Sequence, residues 1–230
     1  MKSVSLFVFL SVGFLFVLHL LFPAESTNAQ TATMEDLIQA QAQGASEAEL
    51  IGIYRSGLSA NSRDRRSVTP LHVACRGQGY LYFAKMLLSE GANANSVRRG
   101  GWTPLMDASS EPGKGGIVRL LLMHGALPDI RKLDGQTALH LAAFTNDFAT
   151  ARALVEARAN LNVADNRGRT PVYYVTGVEV ARLLIENGAK LNIVDRTHIS
   201  PFRYIRDFER QRFGPGQTDL SSYLKSLGAQ

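Results

Sequence analysis

Cysteine is almost absent. Cys75 is the single one in 230 residues, so no disulfide can form within the chain and the fold must hold by packing alone. Tryptophan is as scarce, with Trp102 alone, and aromatic residues make up only 8%. A stacking platform for nucleic-acid bases has little to be built from. Asn-x-Ser/Thr sequons are missing, and so are HExxH, CxxC, GxSxG and GxGxxG, the spacings that announce zinc hydrolysis, dithiol chemistry, serine nucleophiles and dinucleotide binding. Acidic charge trails basic charge, 20 residues against 25, leaving a net charge of +5. What the chain does have is 45% apolar content, enough for a packed core.

One long apolar run stands at the start. Lys2 precedes an almost unbroken apolar stretch from Ser5 to Phe22, then Pro23 and small polar residues follow. This is the layout of a secretory signal, read as residues 1–29 with the cut after Ala29 and a linker at 30–33. The competing reading is an uncleaved inner-membrane anchor, because the run approaches the roughly 18 residues of a membrane span. No cysteine lies near the junction, which excludes a lipoprotein modification. Cleavage removes Lys2 and Glu25, so the net charge stays at +5. An exported chain without disulfides or sequons suits a bacterial periplasm.

The rest is periodic. Thr69-Pro-Leu-His72, Thr103-Pro-Leu-Met106, Thr137-Ala-Leu-His140, Thr170-Pro-Val-Tyr173 and Ser200-Pro-Phe-Arg203 start 34, 34, 33 and 30 residues apart. A second element keeps phase: Gly57-Leu-Ser-Ala-Asn61, Gly91-Ala-Asn-Ala-Asn95, Gly125-Ala-Leu-Pro-Asp129, Arg158-Ala-Asn-Leu-Asn162 and Gly188-Ala-Lys-Leu-Asn192. Two phased signals at one period mark a repeat array. The residues within each period say what the unit is. Proline fits a first helical turn, where its missing N–H costs nothing, and the Thr or Ser before it can cap the free N–H groups. Apolar stripes follow at helical spacing: Phe83, Met86, Leu87; Val118, Leu121, Leu122; Leu154, Val155; and Val180, Leu183, Leu184. A glycine then ends the helix in a left-handed turn.

A T-P-L-H motif, an apolar helix and then G-A-x-x-N at this period resemble the ankyrin repeat, over about Met34 to Gln230. The resemblance implies an all-α solenoid of helix-turn-helix units joined by short hairpin loops, about six units including caps. Residues 34–66 would be an N-terminal capping repeat, 67–199 four full repeats, and 200–230 a C-terminal cap with an insert at 212–218. It also implies that His72 and His140 bond backbone and threonine hydroxyls between neighbouring turns.

Three departures stand out. Arg158 replaces the helix-ending glycine, at a cost of about 1 kcal/mol if the left-handed turn is kept, so that joint should be weaker or its helix should end differently. The fourth full repeat is three residues short between Val175 and Gly177, trimming its first helix or loop. Glu111-Pro-Gly-Lys-Gly-Gly116 tempts a phosphate-loop reading, but Gly115 stands where Ser or Thr must follow the lysine. A flexible helix-to-helix loop is expected there.

His72 and Cys75, one helical turn apart, could form a reactive pair. In register Cys75 falls in the small slot of Ser109 and Ala143, so a buried inert thiol is expected. His124 at a helix end and His198 in a hairpin read as surface residues. No catalytic residue, metal site or cofactor is assigned.

The family's partners are gripped by hairpin tips and the exposed side of the first helices. Carried over, that gives Arg65, Arg66, Val68, Arg99, Trp102, Leu133, Gln136, Asn166, Arg167 and Arg169 on hairpins. On first helices it gives Arg76, Asp107, Ser110, Glu111, Phe144 and Thr145. The hairpin segments carry +2, +2, +1, +1 and 0 in chain order, more than the whole chain's +5. The remainder is therefore near neutral, and the positive charge sits on the fingers. The expected function is a non-enzymatic, monomeric, periplasmic module that holds a protein partner with an acidic surface, in a scaffold or protective role. An immunity protein that neutralises an exported toxin is the alternative, with an envelope enzyme or a binder of anionic lipid or glycan behind it. Nucleic acid is not an expected partner, and a membrane enters only through an uncleaved leader.

Overall fold

The computed structural model describes residues 31–77, 80–213 and 219–227, without side chains at 212 and 213. The leader, its cleavage site and residues 214–218 of the insert lie outside the described residues.

Helices pair off along the chain. The first pair is α1 (Met34–Ala42) and α2 (Glu47–Arg55). Next come α3 (Pro70–Cys75) with α4 (Leu81–Ser89), and α5 (Pro104–Ser109) with α6 (Gly115–Met123). Then follow α7 (Ala138–Thr145) with α8 (Phe148–Glu156), a 3-10 helix (Pro171–Tyr174) with α9 (Val178–Glu186), and α10 (Pro201–Phe213) with α11 (Asp219–Ser226). First helices stack on first helices and second on second, in two rows. The stripes close the space between the rows: Phe83, Leu87, Val118, Leu121, Leu154, Val180 and Leu184 are fully buried. Met86, Leu122, Val155 and Leu183 sit at the stripe edges, partly buried against that core.

Capping starts the helices. Thr33 with Asp36 and Ser46 with Glu49 form reciprocal capping boxes on α1 and α2. At Thr69 and Thr137 the histidine three residues on takes the acid's place: each ring Nδ1 accepts from the threonine N–H, at 3.2 and 3.0 Å.

Hairpins link the pairs, each closed by a backbone bond from Asp64 N to Val68 O, Arg98 to Trp102, Lys132 to Gln136, Asp165 to Arg169 or Asp195 to Ile199. A second bond runs back to the first residue's carbonyl, from Ser67, Gly101, Gly135, Gly168 or His198. Successive hairpins are then joined by single backbone bonds: Arg99 N to Arg66 O, Leu133 N to Gly100 O, Asn166 N to Asp134 O, and Arg196 N to Arg167 O.

A side-chain ladder runs along the opposite turns. Asn61, Asn95 and Asn162 each donate to the carbonyl of the next unit's helix-ending glycine, Gly91, Gly125 and Gly188. Each also accepts an N–H two residues further on, from Asn93, Leu127 and Lys190. The corresponding rung between the third and fourth units is incomplete. Asp129 accepts from Asn160 N at 2.9 Å, but a carboxylate cannot donate to the Arg158 carbonyl. Arg158 itself keeps the left-handed turn, at φ 58°. Its helix ends as the others do, under strain. Arg158→Gly is expected to raise the unfolding free energy by about 0.5–1 kcal/mol, and Asp129→Asn to add a further gain by restoring the missing donor. Urea melts measure both, and no gain from either variant overturns the account of a weak joint.

Candidate functional site

The tips of five hairpins form one edge. The bonds between them place Arg65, Arg99, Leu133, Asn166 and Arg196 in one column, with Arg66, Gly100, Asp134, Arg167 and Thr197 in the next. Arg65, Arg66, Arg99, Asn166, Arg167 and Arg196 are exposed, and Leu133 is 79% exposed. The edge is therefore basic at its first two hairpins and again at its last two. Leu133 and Asp134 interrupt it in the middle.

Not every hairpin charge reaches solvent. Asp64 Oδ1 accepts the N–H groups of Arg66 and Val68 at 2.8 and 2.6 Å. Asp165 does the same for Arg167 and Arg169, and Asp195 for Thr197 and Ile199. Burial works to raise the Asp195 pKa, but the Thr197 hydroxyl and these N–H groups bring it below the usual carboxylate value. These acids are turn-formers, each with an oxygen engaged by turn N–H groups.

Several expected contact residues are structural instead. Val68 is buried, 6% exposed, because it closes the first hairpin against the core. Asp107 is 2% exposed and is held by Arg98 through two bonds, Nη2 to Oδ1 at 2.5 Å and Nε to Oδ2 at 3.0 Å. Trp102 packs between the Arg98 guanidinium, 4.9 Å from its ring centre, and Lys132 Nζ, 5.3 Å away. It spans neighbouring hairpins as a spacer. Arg169 binds Asp195 at 3.1 Å and lies 4.0 Å over the Tyr204 ring. Gln136 is half-buried, its N–H on Asp134.

Of the first-helix residues, Arg76 is exposed where α3 ends in extended backbone. Phe144 is 62% exposed. Ser110 and Thr145 bond back to their own helices, at Asp107 O and Ala142 O. Glu111 belongs to the helix-to-helix loop: it accepts from Gly77 N at 3.3 Å and lies 3.5 Å from Lys114 Nζ. That loop is tied to both neighbours, through Lys114 to Gly77 O and through Gly113 N to Asp147 Oδ2 at 2.7 Å. The cavity of about 440 Å³ beside it is lined by this mutually neutralising Lys114 and Glu111.

The two motif histidines are closed to solvent. His72 and His140 are 0% exposed. Because Nδ1 accepts from the threonine N–H, Nε2 carries the proton and donates to Trp102 O at 3.2 Å and to Arg169 O at 3.1 Å. Burial pushes the His72 pKa down to about 4, with Asp107 opposing, and lowers that of His140 as well. Cys75 is 0% exposed and burial raises its thiol well above the ordinary range. His124 and His198 are exposed as expected. Among the described residues no three His, Cys, Asp or Glu gather as metal ligands, and no helix is long and apolar enough to cross a membrane.

Sequence reasoning missed Arg196, whose hairpin sums to zero only because buried Asp195 cancels it. It also missed Tyr174, Tyr204 and Phe208, which join Phe144 around a small cavity. The signal for the latter was the three-residue shortening.

Comparison with known proteins agrees with this geometry. The family model described as ankyrin repeats (3 copies) matches residues 37–132 and 114–195. The chain is 35% identical over 149 residues to the ankyrin repeat and KH domain-containing protein mask-1 of Caenorhabditis elegans, covering 64% of this chain and 5% of that protein. It is 32% identical over 124 residues to the human SH3 and multiple ankyrin repeat domains protein 1, covering 50% and 6%. With the neurogenic locus notch homolog protein 1 of Xenopus tropicalis it shares 28% identity over 123 residues, covering 53% and 5%. The chain thus spans a small part of each of these relatives.

The closed histidines set an acid limit. The folded His72 pKa lies below the unfolded value of about 6.5, so the unfolded chain takes up its proton first. The stability this histidine contributes is complete above about pH 6.5 and is lost as pH falls towards 4, on the order of 3 kcal/mol in all. His140 acts with the same sign. Urea melts stepped downward from neutral pH should show the loss beginning below about pH 6.5; a flat profile down to the carboxylate range overturns it.

Proposed function

Since the chain belongs to the ankyrin-repeat family, a protein-interaction fold, we propose that it is a non-enzymatic module that holds an acidic protein partner along its hairpin edge. The observation that carries this reading is the sorting of charge on the five hairpins. Asp64, Asp165 and Asp195 spend an oxygen on turn N–H groups, while Arg65, Arg66, Arg99, Arg167 and Arg196 stay exposed. An edge sorted in this way steers an acidic surface towards it, and arginine is favoured where interfaces concentrate their binding energy. Exposed Leu133 in the middle gives that edge an apolar contact.

The periplasm is the proposed location. Its support is the leader-like start of the chain and the absence of any disulfide from a fold that packs without one. The scaffold or protective role goes with a monomer that presents one edge.

Charge reversal tests the reading. Arg65→Glu, Arg66→Glu and Arg99→Glu together are expected to abolish recovery of the partner in affinity purification from the native envelope, with far-UV circular dichroism unchanged. These side chains are exposed, so the fold tolerates the change. Undiminished recovery sinks the basic-edge reading.

A further inference from the structure

Hairpin cations divide into two kinds. Those at the hairpin bases are engaged: Arg98 by Asp107 and Trp102, Lys132 by Asp134 and Trp102, and Arg169 by Asp195 and Tyr204. Arg131 bonds the carbonyls of Gly135 and Ala164, at 3.2 and 2.8 Å. At the tips the opposite holds. Arg65, Arg66, Arg99, Arg167 and Arg196 are exposed, and no guanidinium among them meets an acid, a ring or a carbonyl of the described residues.

The bonds between hairpins place these unpaired arginines. Each bond sets one tip residue beside one of the next unit, which makes four joints along the edge. The first sets Arg66 beside Arg99, at 2.8 Å from O to N, and the fourth sets Arg167 beside Arg196, at 2.9 Å. The two between them set Gly100 beside Leu133 and Asp134 beside Asn166. Arginine therefore faces arginine at both outer joints and at neither inner one. Like charges side by side on bonded chains are destabilising, and no acid of the described residues offsets either pair. Asp64, Asp165 and Asp195 are held by N–H groups of their own hairpins.

The joints also set a spacing. One hairpin advances the edge by a residue step of about 3.8 Å and a chain spacing of about 4.8 Å, so the outer joints lie roughly 26 Å apart. That is about three screening lengths at physiological salt, so each pair attracts its own anion independently of the other. The middle disfavours a uniform polyanion. Leu133 is 79% exposed there, and the Asp134 carboxylate beside it is half exposed.

We propose that the two arginine pairs are twin carboxylate clamps. Their occupant is an acidic protein segment with two acidic groups roughly 26 Å apart and an apolar residue between them to meet Leu133. The clamps rest on the protein-binding reading above and deepen it: the edge attracts an acidic surface, and the joints require that its charge come in two parts. An extended segment covers that distance in about eight residues.

Synthetic peptides test the spacing on the intact protein. Each carries two glutamate pairs with one leucine between them, the pairs set about eight residues apart or at half that distance. In anisotropy titrations the longer spacing is expected to bind about tenfold or more tightly than the shorter, and than oligoglutamate of the same length. Arg66→Gln with Arg99→Gln, and separately Arg167→Gln with Arg196→Gln, should each remove about that factor. Equal binding at both spacings, equal binding of oligoglutamate, or no loss from the Arg167 and Arg196 substitutions overturns the twin clamps. If the Arg66 and Arg99 substitutions alone still weaken binding, a basic edge without the second clamp remains. Indifference to both pairs of substitutions overturns the edge as well. No binding by any peptide overturns the clamps, and recovery of the native partner with the Arg65, Arg66 and Arg99 reversal then decides the edge separately.

Discussion

A single backbone hydrogen bond, repeated between successive hairpins, fixes where every tip side chain lies. Arg99 N reaches Arg66 O at 2.8 Å, and the same bond recurs at Leu133, Asn166 and Arg196 at 2.8–3.0 Å. Each is worth only about 0.5–1.5 kcal/mol net, yet together they set the register. A slip of one residue would take Arg65, Arg99 and Arg196 out of their shared column. The buried histidines brace the same joint from within. His72 and His140 each tie a helix start to the carbonyl that closes the next hairpin, at Trp102 and Arg169. In the fifth unit the Tyr173 hydroxyl does this, between Ile193 O and Ile199 O at 2.7 and 2.6 Å.

This bracing explains how a chain with one cysteine holds together. No unit has a core of its own, and each stripe is buried only by its neighbours, so stability accumulates joint by joint. The joints are unequal. Met106 stands where a bridging histidine would be, Asp129 cannot complete its rung, Arg158 holds a strained turn, and the Thr170 hydroxyl is buried without a partner. Tyr173 replaces the histidine whose Nδ1 would have met that hydroxyl. All four departures lie from the third unit to the fifth, the last of them in the unit whose first helix is cut short.

Charge shows how far composition can mislead. Counting formal charge along the hairpins placed excess positive charge there but weighted every residue alike, and so missed Arg196. Asp195 and Asp107 are buried against arginines, and Arg98, Lys132 and Arg169 are engaged by acids or aromatic rings. What stays exposed after that internal pairing is Arg65, Arg66 and Arg99 at one end, and Arg167 and Arg196 at the other.

While the place of the structural histidines came from the family resemblance, the sequence by itself determined the period, the helix pairs and the buried stripes. These follow from local rules: proline at a helix start, threonine as its cap, apolar residues at helical spacing, glycine at the end. Even the short fifth unit was legible as a spacing. Tertiary structure alone decided which polar residues reach solvent. Val68, Asp107 and Trp102 looked like contacts because their positions are on hairpins and first helices, but each packs against a residue of another element that no local pattern names. The small cavity beside Phe144 was hidden for the same reason. A missing turn becomes a pocket only because Phe144, Tyr204 and Phe208, some sixty residues apart in sequence at the extremes, are brought to its two sides by stacking.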